Sequence, residues 1–91
     1  MAVSGSDIGH GIEATTTLDR LRPGESATVV RCRGVEGPTG QRLLQLGLLR
    51  GRRVEMLRRA PTGDPLEVRI LGSRLSLRAS EARLVEVERT S

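Results

Sequence analysis

The sequence predicts a small, mainly β domain: a partly open barrel of about five short strands with one short helix inserted after the first strand. Apolar and polar residues alternate in several short runs, which is typical of half-buried strands. Turn signals rich in Gly and Pro separate these runs at close spacing. Closure into a barrel suits a chain of 91 residues because it hides the edges of the sheet.

The composition limits both the core and the partners. The core must be aliphatic because the chain contains no Phe, Trp or Tyr. All 15 basic residues are arginines and the formal net charge is +4, which favours acidic partners. A lone cysteine, Cys32, cannot form an internal disulfide, and this fits a reducing cytosol. No apolar run approaches the roughly 20 residues of a membrane span and no signal-peptide pattern is present, so we expect a cytoplasmic protein without membrane insertion.

The chain is expected to divide into a flexible N-terminal tail over residues 1–14, a domain over residues 15–88 and a frayed end over residues 89–91. The tail mixes Gly, Ser and isolated hydrophobic residues without a sustained period. It contains His10, the only histidine, and no second metal ligand stands beside it. We therefore expect His10 to be inert.

The first predicted strand is Ser26–Arg33, in which Ala27 and Val29 share one face. The opposite face is also partly apolar, and the pattern leaves open which of the two is core. Gly34–Gly40 follows as a glycine-rich loop, but a P-loop is excluded because the chain has no lysine. Thr39 is a suitable N-cap for a helix that opens at position 40 or 41.

Residues 41–54 (QRLLQLGLLRGRRV) organise the rest of the chain. Leu43 and Leu46 lie three residues apart and share one face of a helix. Gly47 stands just past the last periodic position, where a residue with positive φ ends a helix at little steric cost. Arg50-Gly51 is a turn signal before the next extended run. The segment is therefore predicted to be a short helix, a glycine stop, a tight turn and a strand.

The C-terminal half predicts the remaining strands: residues 53–60, 66–71, 74–78 and 83–88. Gly72-Ser73 is a tight connection, and its length predicts an antiparallel hairpin. Leu66, Val68 and Ile70 share one face of their strand, and Leu75 and Leu77 are expected to face inward together with Leu66 and Val68. Ala79–Ala82 is expected to form one helical turn.

The pattern Arg42-Leu43-x-x-Leu46-Gly47-Leu48-x-x-Gly51-x-x-Val54 resembles the signature of the FeoA family, the small cytosolic partner of the bacterial ferrous iron transporter. The likeness covers residues 16–88 and includes Leu75-x-Leu77-Arg78-x-x-Glu81-Ala82. One departure is Arg50, where the family usually has proline. The resemblance implies an SH3-like barrel, a role in iron transport, an association with transition metals, and the cytosolic GTP-binding domain of FeoB as partner, with recruitment to the inner face of the membrane.

Catalytic and metal motifs are missing from the sequence. No Ser/His/Asp or Cys/His arrangement is available without the tail histidine, and no CxxC, HxxH or clustered carboxylate motif occurs. We expect no enzymatic activity and no cofactor. A weak oxygen site that uses Glu81, Glu86 or Asp64 stays open, and the metal ligands are unknown.

A nucleic-acid function is the main alternative, since small basic barrels often bind RNA or DNA. Its candidate phosphate contacts are arginines, namely Arg50, Arg52, Arg53, Arg58, Arg59, Arg69 and Arg74. The lack of aromatic stacking residues and the interleaved acids disfavour it. A free-standing SH3-like domain related to metal-responsive repressors is a further alternative.

The partner contact is expected beside the helix. A short helix buries one stripe, and the barrel can accept Leu43, Leu46 and Leu48. Leu44 and Leu49 are then surplus, and beside Arg50 they would form an apolar centre with a basic rim. The sequence leaves two other outcomes open: the barrel's open end covers both leucines, or they form a self-association surface.

Overall fold

The computed structural model describes residues 15–90, and the expected tail with His10 lies outside the described residues. These residues form one antiparallel six-stranded sheet in the order β1-β6-β2-β3-β4-β5. The strands are β1 (Thr15–Thr17), β2 (Ser26–Cys32), β3 (Arg53–Arg59), β4 (Leu66–Ile70), β5 (Ser73–Leu77) and β6 (Val85–Thr90). The helices are α1 (Pro38–Gln45) and α2 (Ala79–Ala82), and a 3₁₀ turn covers Leu18–Arg20. The predicted mainly β class is confirmed, and the helix follows β2, which is the strand that the sequence predicted as the first.

The sheet does not close into a barrel, because β1 and β5 lie at its two edges and each pairs with a single strand. The sequence predicted about five strands, and the additional one is β1, which pairs with β6. Three threonines show no apolar alternation, which is why the pattern missed this strand. β6 also continues through Arg89 and Thr90, where we expected a frayed end, since these residues pair with Ala27 and Ser26 of β2.

The core lies on one face of the sheet and is entirely aliphatic apart from Met56. Ala27 and Val29 are both buried, so their face of β2 is the core face, which the sequence pattern left open. The members of the core are Leu18, Leu21, Ala27, Val29, Leu43, Leu48, Val54, Met56, Leu66, Val68, Ile70, Leu77, Ala82, Val85 and Val87. Leu75, expected to be as buried as Leu77, is only partly buried against this core. In residues 15–90, no helix has the length and apolar character needed to cross a membrane.

The helix α1 begins earlier than the sequence predicted. Its N-cap is Gly37 and Pro38 occupies the first turn, a position where proline's missing N–H costs nothing. Thr39 is therefore inside the helix and is not the cap. The early start brings Gly40 against the preceding loop: a Cβ at Gly40 would lie 2.0 Å from the carbonyl oxygen of Gly34.

The hairpin between β4 and β5 turns one residue earlier than predicted. Ile70 pairs with Ser73, so the two-residue connection is Leu71-Gly72 instead of Gly72-Ser73. Leu71 has φ 54° and Gly72 has φ 77°, and two positive φ values at these positions define a type I′ turn. The preceding residues Leu66, Val68 and Ile70 keep their predicted inward face.

Candidate functional site

The C-terminal end of α1 closes in a Schellman motif. Gly47 has φ +105°, and its N–H donates to the carbonyl of Leu44 at 3.0 Å. The N–H of Leu48 donates to the carbonyl of Leu43 at 3.1 Å, which is the second bond of this motif. Leu43 and Leu48 are both fully buried, so the chain re-enters the core directly after the glycine.

A second turn follows at once and fixes the segment to the sheet. The N–H of Arg52 donates to the carbonyl of Leu49 at 3.0 Å, and Gly51 between them has φ +89°. Because Arg50 has no positive φ, this is a type II turn with Arg50 at its first central position. The N–H of Gly51 donates to the carbonyl of Val29 on β2 at 2.8 Å. Both glycines of the segment thus have the positive φ that their turns require.

The three residues expected at the partner contact differ in exposure. Leu49 is 38% exposed and Arg50 is exposed, whereas Leu44 is only half-buried instead of freely exposed. Leu46, which we expected in the core with Leu43, is partly buried and packs against the core. The helix itself therefore contributes less exposed apolar surface to this site than the sequence indicated.

Sequence reasoning missed Leu71. This side chain is 65% exposed, the highest value among the large hydrophobic residues of the described chain. It is also the only non-glycine with positive φ among residues 15–90, a conformation that costs an L-residue roughly 1–2 kcal/mol. The available signal was an apolar residue next to Gly72 in a connection of hairpin length. Leucine is not a typical turn residue, so this signal is weak.

Leu71 lies beside the helix stop. A Cβ built on Gly47 would be 3.4 Å from Cδ1 of Leu71. Leu49 is held next to the same glycine, because its N–H donates to the carbonyl of Gly47 at 2.8 Å. We call the exposed side chains of Leu49, Arg50 and Leu71, which flank Gly47, the Gly47 surface. It combines two exposed leucines with a cation.

Seven arginines away from the Gly47 surface form ion pairs with carboxylates. The ion pairs join Arg31 and Arg33 to Glu86, Arg42 to Glu81, Arg58 to Glu67, Arg69 to Glu55, Arg83 to Asp19 and Arg89 to Glu25. Arg59 instead donates to the backbone carbonyls of Asp19 at 2.6 Å and Leu21 at 2.9 Å. Among the described residues, the candidate phosphate contacts held neither by an ion pair nor by these backbone carbonyls are therefore Arg50, Arg52, Arg53 and Arg74.

An open cavity lies away from the Gly47 surface, between α1 and α2. It has a volume of about 550 Å³, and its polar lining includes Arg42, Arg78 and Glu81. Arg42 forms an ion pair with Glu81, whose other carboxylate oxygen accepts the N–H of Arg78 at 2.9 Å. These contacts tie the two helices together, which gives Arg42 a structural role.

The carboxylates considered for a weak oxygen site each have another partner. Glu81 binds Arg42, Glu86 binds Arg31 and Arg33, and Asp64 accepts the N–H of Ala79 at 2.9 Å. Within residues 15–90, no group of three or more His, Cys, Asp or Glu side chains is placed to hold a metal ion.

Cys32 packs partly buried against the core. Burial raises the pKa of its thiol above the ordinary range, because the charged thiolate loses solvation. The adjacent Arg33 does not activate it, since the guanidinium of Arg33 binds Glu86. Cys32 therefore has the environment of a packing residue and not that of a nucleophile.

A family model described as the FeoA domain matches residues 16–89. The chain belongs to the FeoA family. FeoA domains are small accessory domains and do not form a known enzyme family.

A curated relative links the FeoA family to transport. The Fe(2+) transport protein A/Fe(2+) transporter FeoB fusion protein of Porphyromonas gingivalis is 35% identical to this chain over 71 residues. The match covers 78% of this chain but only 8% of the fusion protein. The family is thus linked to ferrous iron transport through a relative in which an FeoA part and FeoB share one polypeptide.

Solved structures of FeoA proteins share the fold of this chain. Iron(II) transport protein A of Clostridium thermocellum is 36% identical with a TM-score of 0.78, and the match covers 82% of this chain and 46% of that one. The FeoA of Stenotrophomonas maltophilia in complex with zinc, a prokaryotic SH3 domain protein, is 34% identical with a TM-score of 0.72, and the match covers 80% of this chain and 89% of that one. The predicted SH3-like class is confirmed, with an open sheet. A manganese-dependent transcriptional repressor (TM-score 0.76, 20% identity, 84% of this chain and 37% of that one) shares the fold alone.

Proposed function

We propose that this FeoA-family protein is a non-enzymatic cytoplasmic accessory of ferrous iron uptake that binds and modulates an FeoB-type transporter at the inner face of the membrane. The observation that carries the proposal is the fusion relative, in which an FeoA part is covalently joined to FeoB. Fusion makes binding intramolecular and raises the effective concentration of the two parts, which is useful only if they act together.

The Gly47 surface is the contact that we propose for this partner. Leu49 and Leu71 supply apolar area and Arg50 supplies a cation, while the half-buried Leu44 contributes its exposed edge. An apolar centre with a charged rim is typical of protein interfaces. The Schellman motif and the type II turn fix the backbone under these side chains, which lowers the entropy cost of binding.

The test is capture of the transporter from membranes. The tagged protein should retain the FeoB-type transporter from membranes that contain it, and Leu49→Glu should abolish this retention while the melting temperature stays nearly unchanged. Val35→Glu is the matched control, because Val35 is 37% exposed in the loop before α1, at the other end of the helix from Gly47.

The result for Leu49→Glu decides where Leu49 lies and whether it contacts the transporter. An unfolded Leu49→Glu variant would place Leu49 in the core, and a folded variant that still binds would place the interface elsewhere. If the wild-type protein instead bound nonspecific duplex DNA tightly, with a steep dependence on salt, the nucleic-acid function would replace this proposal.

A further inference from the structure

Leu71 combines two features that folding alone does not favour. Its backbone has φ 54° in a type I′ turn, where Asn, Asp or Gly is the usual residue. Its side chain is 65% exposed, so burial does not compensate the unfavourable conformation. A backbone outlier at an exposed apolar residue points to a function for the side chain.

The strands that carry this turn place arginines around it. On the outward face of β3 and β4, Arg69 stands opposite Glu55, and Arg74 of β5 stands opposite Arg69. Arg53 lies two residues before Glu55 on the same face of β3 and is exposed. Glu55 pairs with Arg69 at 3.2 Å, whereas Arg53 and Arg74 have no ion pair among the described residues. One carboxylate thus faces three arginines next to the hairpin tip.

We propose that Leu71 is the central apolar anchor of this domain for its partner, and that the partner offers an apolar pocket with an acidic rim. This inference rests on the proposed function, since it places the pocket on the FeoB-type transporter. Leu71 would enter the pocket, and Arg50, Arg53 and Arg74 would face the carboxylates around it. A buried apolar anchor surrounded by polar contacts is the usual organisation of a binding hot spot.

The anchor favours a protein partner over a nucleic acid. Phosphate groups would engage the arginines but would leave Leu71 without a contact, and the chain has no aromatic residue to stack on bases. The turn also holds the leucine in one place, because its backbone lies between paired residues Ile70 and Ser73. A preorganised anchor loses less entropy on binding than a mobile one.

The decisive variant is Leu71→Asn, since it separates stability from binding. Asparagine adopts positive φ more readily than leucine, so the melting temperature should stay the same or rise. Capture of the transporter from membranes should fall at least tenfold. Val35→Asn is the matched control and should keep both the melting temperature and the capture, because Val35 lies at the opposite end of α1.

The charged rim is tested by Arg74→Glu against Arg20→Glu, which makes the same change of net charge. Arg20 lies in the 3₁₀ turn, which Arg59 ties to the far end of β3 from Arg53. Arg74→Glu should weaken capture at least fivefold, mostly at low salt, whereas Arg20→Glu should change it less than twofold. Equal effects would show that the protein responds to net charge only, and the acidic rim would be wrong.

The remaining outcomes distinguish this inference from the proposed function. No capture of the transporter by the wild-type protein would overturn both. Capture by wild type and Leu71→Asn alike would overturn the anchor alone. Binding of the protein to anionic vesicles that lack the transporter would identify a lipid surface as the occupant. If the only effect of Leu71→Asn were to convert a dimer into a monomer, the occupant would be a second copy of the chain. Either of these would replace the transporter pocket.

Discussion

Leu71 packs against Gly47, with 3.4 Å between Cδ1 of the leucine and the position that a Cβ on the glycine would take. The contact joins the tip of the β4–β5 hairpin to the C-terminal end of α1. Both residues have positive φ, so two unusual backbone conformations meet at one place. A side chain at position 47 would strain the backbone, and its Cβ would touch the leucine.

The first prediction concerns this glycine. Gly47→Ala should destabilise the domain by about 1–2 kcal/mol because of its φ of +105°. Gly47→Asn should cost less, and Gly47→Val should cost the most because its extra methyl groups meet Leu71. Urea unfolding measures each value. In a double-mutant cycle, Leu71→Ala should recover part of the cost of Gly47→Val. Strict additivity of the two changes would contradict the contact.

The second prediction concerns Gly40. Alanine in a helix interior normally stabilises, by roughly 0.5–1 kcal/mol relative to glycine. Here the added Cβ would lie 2.0 Å from the backbone oxygen of Gly34, and backbone cannot move aside as a flexible side chain does. Gly40→Ala should therefore destabilise by about 1–3 kcal/mol or more.

Thr39→Ala is the control for Gly40→Ala in the same thermal or urea unfolding experiment. Thr39 is exposed inside α1, and the N-cap is Gly37, so its loss should stay within about 0.5 kcal/mol. A cost near 1 kcal/mol for Thr39→Ala would support a cap at that residue, as the sequence suggested.

The sequence predicted correctly those strands in which apolar and polar residues alternate within one short segment. The strand alternation in residues 66–70 placed Leu66, Val68 and Ile70 inward, and all three are buried. The pattern missed β1 because three threonines have no apolar period, and it overestimated the burial of Leu75, which is only partly buried.

The candidate site was predicted only in part for the same reason. The exposed leucine and arginine at positions 49 and 50 follow from the short helix and the glycine stop. The contribution of Leu71 depends on a contact with Gly47 across two separate elements, which no local period reports. The ion pairs of Arg58 and Arg69 likewise depend on strand register. Only the structure therefore shows that these two arginines are paired with carboxylates.

The third prediction concerns Arg50, where the FeoA pattern usually has proline. Arg50 stands at the first central position of a type II turn, which favours the fixed φ of proline. Arg50→Pro should therefore stabilise the domain by about 0.4–1 kcal/mol, mostly by restricting the unfolded chain. Thermal unfolding checks the sign. Arg52→Pro is the control and should destabilise, because the N–H of Arg52 donates to the carbonyl of Leu49.

The last prediction concerns pH and the carboxylate of Glu86. Hydrogen bonds from Arg31 and then Arg33 hold the pKa of Glu86 below its ordinary value, against the opposing effect of desolvation. Because its pKa is lower in the folded state, Glu86 contributes stability above the unfolded-state value near 4.3, and this contribution is lost as the pH falls through the folded-state value. Glu86→Gln should thus be less stable than wild type at pH 7.

The difference between wild type and Glu86→Gln should begin to shrink as the pH falls below the unfolded-state value near 4.3. It should disappear below the lower folded-state pKa, where the wild-type carboxylate is protonated and the arginines lose their charged partner. Urea unfolding of both proteins at pH 7, 5, 4 and 3 measures the difference directly. Glu36→Gln is the control, because Glu36 is exposed in the loop before α1 and forms no ion pair within residues 15–90. A gap between wild type and Glu86→Gln that stays constant down to pH 3 would mean that the loss comes from packing and not from the charge on Glu86.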